Sequence, residues 1–192
     1  SILGDNTMTR PLYKIPPRAI DTPVGVYDNL PPAPPEPLPE RKWNVRRVGH
    51  SDMNGWGDTM TLQVRDGFLY SAHSGTDGHD GLTILDVKDP TKPKVVHQTA
   101  DKTGIARSHK IALVEDVLFT NMEKLPAGLE DPELIGGLRM FDVKDPANPK
   151  FINYVEVAGR GVHRPIYDKA RKLLYCSAFK DGCHGKVMQC YD

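Results

Sequence analysis

The chain has 192 residues, room for one ordinary domain or for part of a larger one. Its 25 Lys plus Arg are balanced by 25 Asp plus Glu, which argues against a nucleic-acid binder held by phosphate neutralisation. No stretch approaches the roughly 18 apolar residues of a membrane span, and the first 20 positions mix Asp5, Arg10, Lys14 and Arg18 with prolines instead of forming a signal core. No membrane partner and a cytoplasmic location are therefore expected, although removal of a signal would leave the same sequence.

Glycine and proline number 17 each, which favours short elements joined by turns over long helices. Ten of the prolines precede residue 43, six of them in PPAPPEPLP at 31–39. Proline lacks an N–H donor and fixes φ, so residues 1–42 are expected to form an extended arm. Ile15, Ile20, Val24, Val26, Tyr27 and Leu30 could pin that arm to a neighbouring surface or subunit, and a homo-oligomer built through the arm is the expected assembly.

The second domain, residues 43–192, carries an internal repeat. Just before its first strands, Asn54-Gly55-Trp56-Gly57 sets an aromatic between glycines, suited either to a wall of a site or to packing. DTMTLQVRDGFLYSAHS (58–74) reads as a hairpin turning at Arg65-Asp66-Gly67. The loop SGTDGHDG (74–81) holds Asp77, His79 and Asp80, a plain turn or a hard-cation site. GLTILDVKDPTKPK (81–94) follows, and GLRMFDVKDPANPK (137–150) agrees with it at nine of fourteen positions. In each copy Asp86 or Asp142 can bond turn amides, and Pro93 or Pro149 is tolerable only where no ladder partner needs its N–H. The strand after each, KVVHQ or KFINYVEV, is therefore expected at a sheet edge.

SHKIALVEDVLFTNME (108–123) repeats the hairpin with its turn at Glu115-Asp116. The loop LPAGLEDPELIGG (125–137) is a longer excursion between strands. A third hairpin spans VHRPIYDKARKLLYCSAF (162–179), followed by GKVMQCYD (185–192). One unit is thus four strands of about 50 residues, the mark of a propeller blade. The expected fold class is all-β: a β-propeller with blades at about 57–104, 105–161 and an incomplete 162–192. Three blades do not close a ring of four to eight. The chain is therefore expected to be part of a larger closed ring, with assembly of one ring from several copies as the rival.

These segments resemble the bacterial LVIVD-repeat proteins. The likeness rests on GLTILDVKDPTKP, GLRMFDVKDPANP, GHSDMNGWGDTMTLQV (49–64), SHKIALVEDVLFTN and GRGVHRPIYDKARKLLYCSA, and covers about residues 43–192. It implies propeller architecture and further blades, and supplies no chemistry. Cys183-His184 in DGCHG departs from the family's pattern. Cys176, Cys183 and Cys190 fit neither a common zinc spacing nor a disulfide framework, and reduced thiols are expected.

In a propeller the first strand of each blade lines the axis, so equivalent residues converge there. His109 lies ten residues before Phe119 and His163 twelve before Tyr175, which places the two in equivalent positions of adjacent blades. Neutral imidazoles on a rigid scaffold suit a divalent Fe, Cu, Mn or Zn site, with His50 upstream as a further candidate ligand. Asp58 is the candidate third ligand or general base of the first blade, or else a turn-capping residue. Arg164, or Lys110, would hold an anionic group of a small-molecule substrate, or pair with a carboxylate of the next blade. The expected function is a metal-dependent oxidoreductase or lyase. The alternative is a non-catalytic propeller serving as a protein-interaction scaffold.

Overall fold

A computed structural model describes residues 45–56, 58–74, 81–100 and 105–192. The chain divides into two units, 1–45 and 46–192. The expected arm, Gly57 and residues 75–80 of the Asp77–His79–Asp80 loop lie outside the described residues.

The second unit is all-β, built from successive antiparallel sheets that do not close into a barrel. The first sheet runs β1 (Thr59–Arg65), β2 (Phe68–His73), β3 (Gly81–Asp86) and β4 (Lys94–Ala100), in that spatial order. In the second, β5 (Ala106–Arg107) and β6 (Ile111–Val114) both pair with β7 (Val117–Lys124), and β8 (Gly137–Asp142) and β9 (Lys150–Glu156) follow outward. The third is β10 (Val162–Asp168), β11 (Leu173–Phe179) and β12 (Lys186–Tyr191). Among the described residues the one helical element is a 3-10 turn at Pro126–Leu129 in the long 125–137 loop, where Pro presets φ at the start.

All three expected hairpins form, the first two at the expected turns. Asp66 and Gly67 both have positive φ, 51° and 77°, the backbone of a tight two-residue hairpin turn whose twist matches its strands. The DVKDP segments act as anticipated. Lys88 N–H donates to Asp86 Oδ1 at 3.0 Å and Lys144 N–H to Asp142 Oδ1 at 2.9 Å, so each aspartate closes its own turn. The strands after Pro93 and Pro149, β4 and β9, are edge strands.

The sheets pack face to face in chain order. Tyr70, Ala72, Leu82 and Ile84 of the first sheet meet Ile111, Leu118 and Val143 of the second in one buried cluster. On the opposite face of the second sheet, Ala112 and Leu138 meet Val162, Leu174, Cys176 and Ala178 of the third. At about 25 cal/mol per Å² of apolar surface removed from water, these two seams are the main favourable term. The first strands also pack on one another, β1 on β6 and β6 on β10. Thr61 Oγ1 donates to His109 O at 3.0 Å across the first of these contacts, and β10 also packs against β7. This convergence of first strands brings the two histidine-bearing segments side by side.

Candidate metal centre

The first strand of the second sheet is interrupted between β5 and β6, and Ser108, His109 and Lys110 occupy the gap, all buried. Asn121 on β7 repairs the broken ladder. Its backbone N–H donates to Lys110 O at 3.0 Å, and its Oδ1 accepts the Lys110 N–H at 2.8 Å. Its Nδ2 donates to Val162 O at 3.0 Å and lies 3.5 Å from His109 Nδ1. One side chain thus ties the His109 segment to the start of β10, which carries His163.

Glu123, two residues further along β7, is the centre of the cluster. Its Oε2 accepts from His163 Nδ1 at 2.8 Å and from Arg107 Nε at 3.1 Å, and Arg107 Nη2 is also 3.1 Å away. His109 Nε2 stands 3.8 Å from the same oxygen. The imidazole rings of His109 and His163 are 5.1 Å apart between centroids and inclined by 55°. Glu123 and His109 are each 1% exposed, while the His163 side chain is 21% exposed and opens the cluster to one side.

The electrostatics follow from this packing. Burial pulls the His109 imidazole down to about 3, reinforced by the Arg107 charge, so at neutral pH the ring is uncharged and able to act as a ligand. Burial by itself would raise the Glu123 carboxyl. The His163 hydrogen bond and the Arg107 guanidinium outweigh that, and the group is held below the usual carboxylate range. Lys110 is pushed below the ordinary lysine value by burial first, then by Arg164 and Arg107.

His109, Glu123 and His163 each offer a ligand atom, and these atoms lie within 4.8 Å of one another. An ion bound at about 2.0–2.2 Å holds adjacent ligand atoms roughly 2.9–3.6 Å apart. The Glu123 oxygen lies 2.8 Å from His163 Nδ1 and 3.8 Å from His109 Nε2, so to hold one ion the side chains would have to rearrange and His163 Nδ1 to give up the proton it donates to Glu123. Two histidines and one carboxylate leave coordination positions open for substrate or water.

Of the residues singled out in the sequence, the structure brings His109 and His163 together. Strand register explains why. His163 is the extra residue between the pairs Val162–Ala178 and Arg164–Ser177, and His109 precedes Lys110 and Ile111 in the matching place of the second sheet. The same register in the first sheet puts Met60, not Asp58 or Thr59, in the equivalent position, because Met60 is the extra residue between Thr59–His73 and Thr61–Ala72. Asp58 is exposed, with φ of 69°, and its carbonyl accepts the Ser74 N–H. His50 is exposed on the segment 46–53, which runs over Leu69, Leu85 and Pro90 of the first sheet. Neither His50 nor Asp58 belongs to the three-ligand group. Arg164 is exposed on the open face of the third sheet beside Ile166, Tyr175 and Met188.

Glu123 is the residue that sequence reading missed. Its one local signal is period two: Asn121 and Glu123 stand at alternate positions of β7 and so face one side. The three cysteines are free thiols, Cys176 buried and Cys183 and Cys190 exposed. No protein-family model and no curated protein matches this chain.

Proposed function

We propose that the second unit is a propeller of the LVIVD-repeat type and that His109, Glu123 and His163 bind a divalent transition ion, Fe, Cu, Mn or Zn, for oxidoreductase or lyase chemistry on a small molecule. The propeller reading is supported by the recurrence of one strand order in successive sheets and by the packing together of their first strands. The observation that carries the metal reading is the trio of ligand atoms within 4.8 Å, two of its residues buried, with an uncharged imidazole and an ionised carboxylate among them. The ion would supply Lewis acidity or redox chemistry. The chain's own contribution is positional: Asn121 locks the His109 segment to β10, and Arg107 and His163 hold Glu123.

A second reading, the non-catalytic interaction scaffold, has an observation of its own. Glu123 is already satisfied by Arg107 and His163, and the Asn121 amide, oriented by two backbone partners, presents an N–H to His109 Nδ1. That contact favours a proton on Nε2, the nitrogen a metal would need. On this reading the cluster is a closed network that pins β7 to β10.

Reconstitution decides between them. Protein stripped with chelator, incubated with each ion in turn and desalted, should retain one ion per chain by elemental analysis. The double variant His109→Ala/His163→Ala should retain none, and E123Q should bind at least about tenfold more weakly. Retention of no ion, or equal retention by the double variant, removes the metal reading and leaves the scaffold.

A further inference from the structure

Successive sheets of the second unit meet through one pair of faces, used twice. The face of the first sheet that carries Tyr70 and Ile84 packs on Ile111 and Leu118 of the second, and the other face of the second, with Ala112 and Leu138, packs on Val162 and Leu174 of the third. One member of the pair is left open at each end of the row. On the first sheet Leu62 stands at the register position of the buried Ile111, and it is 52% exposed. On the third, Ile166 and Met188 match the buried Ala112 and Leu138, and they are 61% and 69% exposed. Apolar residues at seam positions therefore lie bare on both end faces, and the two faces are the two halves of one seam.

The outer parts of these faces are complementary as well. Segment 46–50 crosses the outer part of the first sheet's open face, so close to its Pro90-Thr91 turn that a Cβ on Gly49 would stand 1.8 Å from Pro90 O. At the closed seam β4, the outer strand of the first sheet, takes that place: His97 hydrogen-bonds the backbone of Ala147, the counterpart of Thr91 in the second DVKDP repeat. A sheet that docks on the first sheet must leave its own outer-strand place free. The third sheet, with three strands among the described residues, does so.

We propose that the third sheet of one copy of this chain packs on the first sheet of a second copy, head to tail, with segment 46–50 of the second copy at the outer edge of the docked sheet. Such a contact joins two different faces, so it ends only when the copies close a ring. Three sheets per chain fit a ring of about four to eight only twice, and the assembly is a closed pair. That count rests on the propeller reading; the pairing of faces does not. Arg164, exposed on the docking face, is compatible with closure, since its counterpart Lys110 is buried.

Light scattering across a dilution series provides the test. Concentrated protein should have twice the 21.3 kDa of one chain, and dilute protein the mass of one. L62K and M188K should each stay single at every concentration with far-ultraviolet dichroism unchanged, because both side chains are largely exposed within the chain. Mixed in equal amounts, the two variants should regain the double mass in part, since the third sheet of L62K and the first sheet of M188K are both intact. Alkylation of Cys190, on the docking face beside Tyr175, should slow as the pair forms, while that of Cys183 should not. A single-chain mass up to about 0.1 mM, loose for a specific interface of ordinary size, overturns the contact. So does a double mass that survives either lysine, or a pair of variants that stay single when mixed. Recovery on mixing from a wild-type assembly larger than two keeps the pairing of faces and overturns the propeller count. No metal enters the test, so the metal reading stands or falls apart from it.

Discussion

Glu123 joins two sheets by accepting from Arg107 of β5 and His163 of β10 on a single oxygen. Its replacement should therefore be felt in stability as well as in metal binding. E123Q is expected to lose about 1–3 kcal/mol in urea unfolding at pH 7, because Arg107 keeps its charge and loses its counter-ion. His109 sets the acid response. Its native imidazole stays neutral down to about pH 3, whereas in the unfolded chain it protonates near 6.5. Below that upper value the unfolded state holds more protons, so stability is complete above pH 6.5 and declines towards pH 3, by up to about 1.4 kcal/mol per pH unit. Glu123, whose native carboxyl is held below its ordinary 4.5, adds a loss in the same direction in the acid part of that window. In metal-free protein H109Q should flatten the slope between about pH 6.5 and 4.5. An unaltered slope would show that the ring is not buried as described. Both histidines were legible in the sequence, since they precede repeated hairpins at offsets that differ only by the two extra residues of the third hairpin's turn. Glu123 was not, because nothing local separates an inward glutamate from an exposed one at the end of a strand.

Among the elements, the start of β10 has little room. Gly161 has φ of 82°, and a Cβ there would stand 2.4 Å from Met122 O and 2.6 Å from Gly137 N. The close approach lets Gly161 bridge to Glu123 and lets Lys124 N–H donate to Arg160 O at 2.9 Å, which brings His163 beside β7. G161A is expected to cost more than about 1 kcal/mol through strained φ and backbone overlap, and to weaken metal retention with the ligands unchanged. A stable G161A protein with full retention would contradict this account. The hairpins, turns and edge strands were readable because their causes are local: alternating side chains, Asp-Gly and Asp-Pro chemistry, and a proline that cannot donate. The interruption at 108–110 was not, since Asn121, eleven positions from Lys110, supplies the missing acceptor.

At the scale of the molecule, the seams between sheets carry the stability of one chain and the outer faces do not. Leu118 is fully buried between the first and second sheets, and Val64 is 64% exposed on the open face of the first, beside Met60 and Leu62. In dilute protein L118A should cost about 2–5 kcal/mol and V64A within about 0.5 kcal/mol. A V64A cost near that of L118A would mean that another surface covers this face. Thiol labelling reads the second seam. Burial raises the Cys176 thiol to about 12, so in dilute protein the native chain should alkylate quickly at Cys183 and Cys190 and at Cys176 only on unfolding.

By itself the sequence determined that the chain forms short antiparallel strands in repeated hairpins, that prolines mark the edges, and that two histidines recur in equivalent places. Those features depend on neighbours within a turn or a strand. Only the tertiary structure decided that Glu123 and Arg107 join His163 across 40 residues of chain, that Asn121 fastens the two histidine-bearing segments, and that Lys110 is enclosed while Arg164 is not. Such meetings are set by the register of each sheet and by the face it turns to the next, which no local pattern encodes.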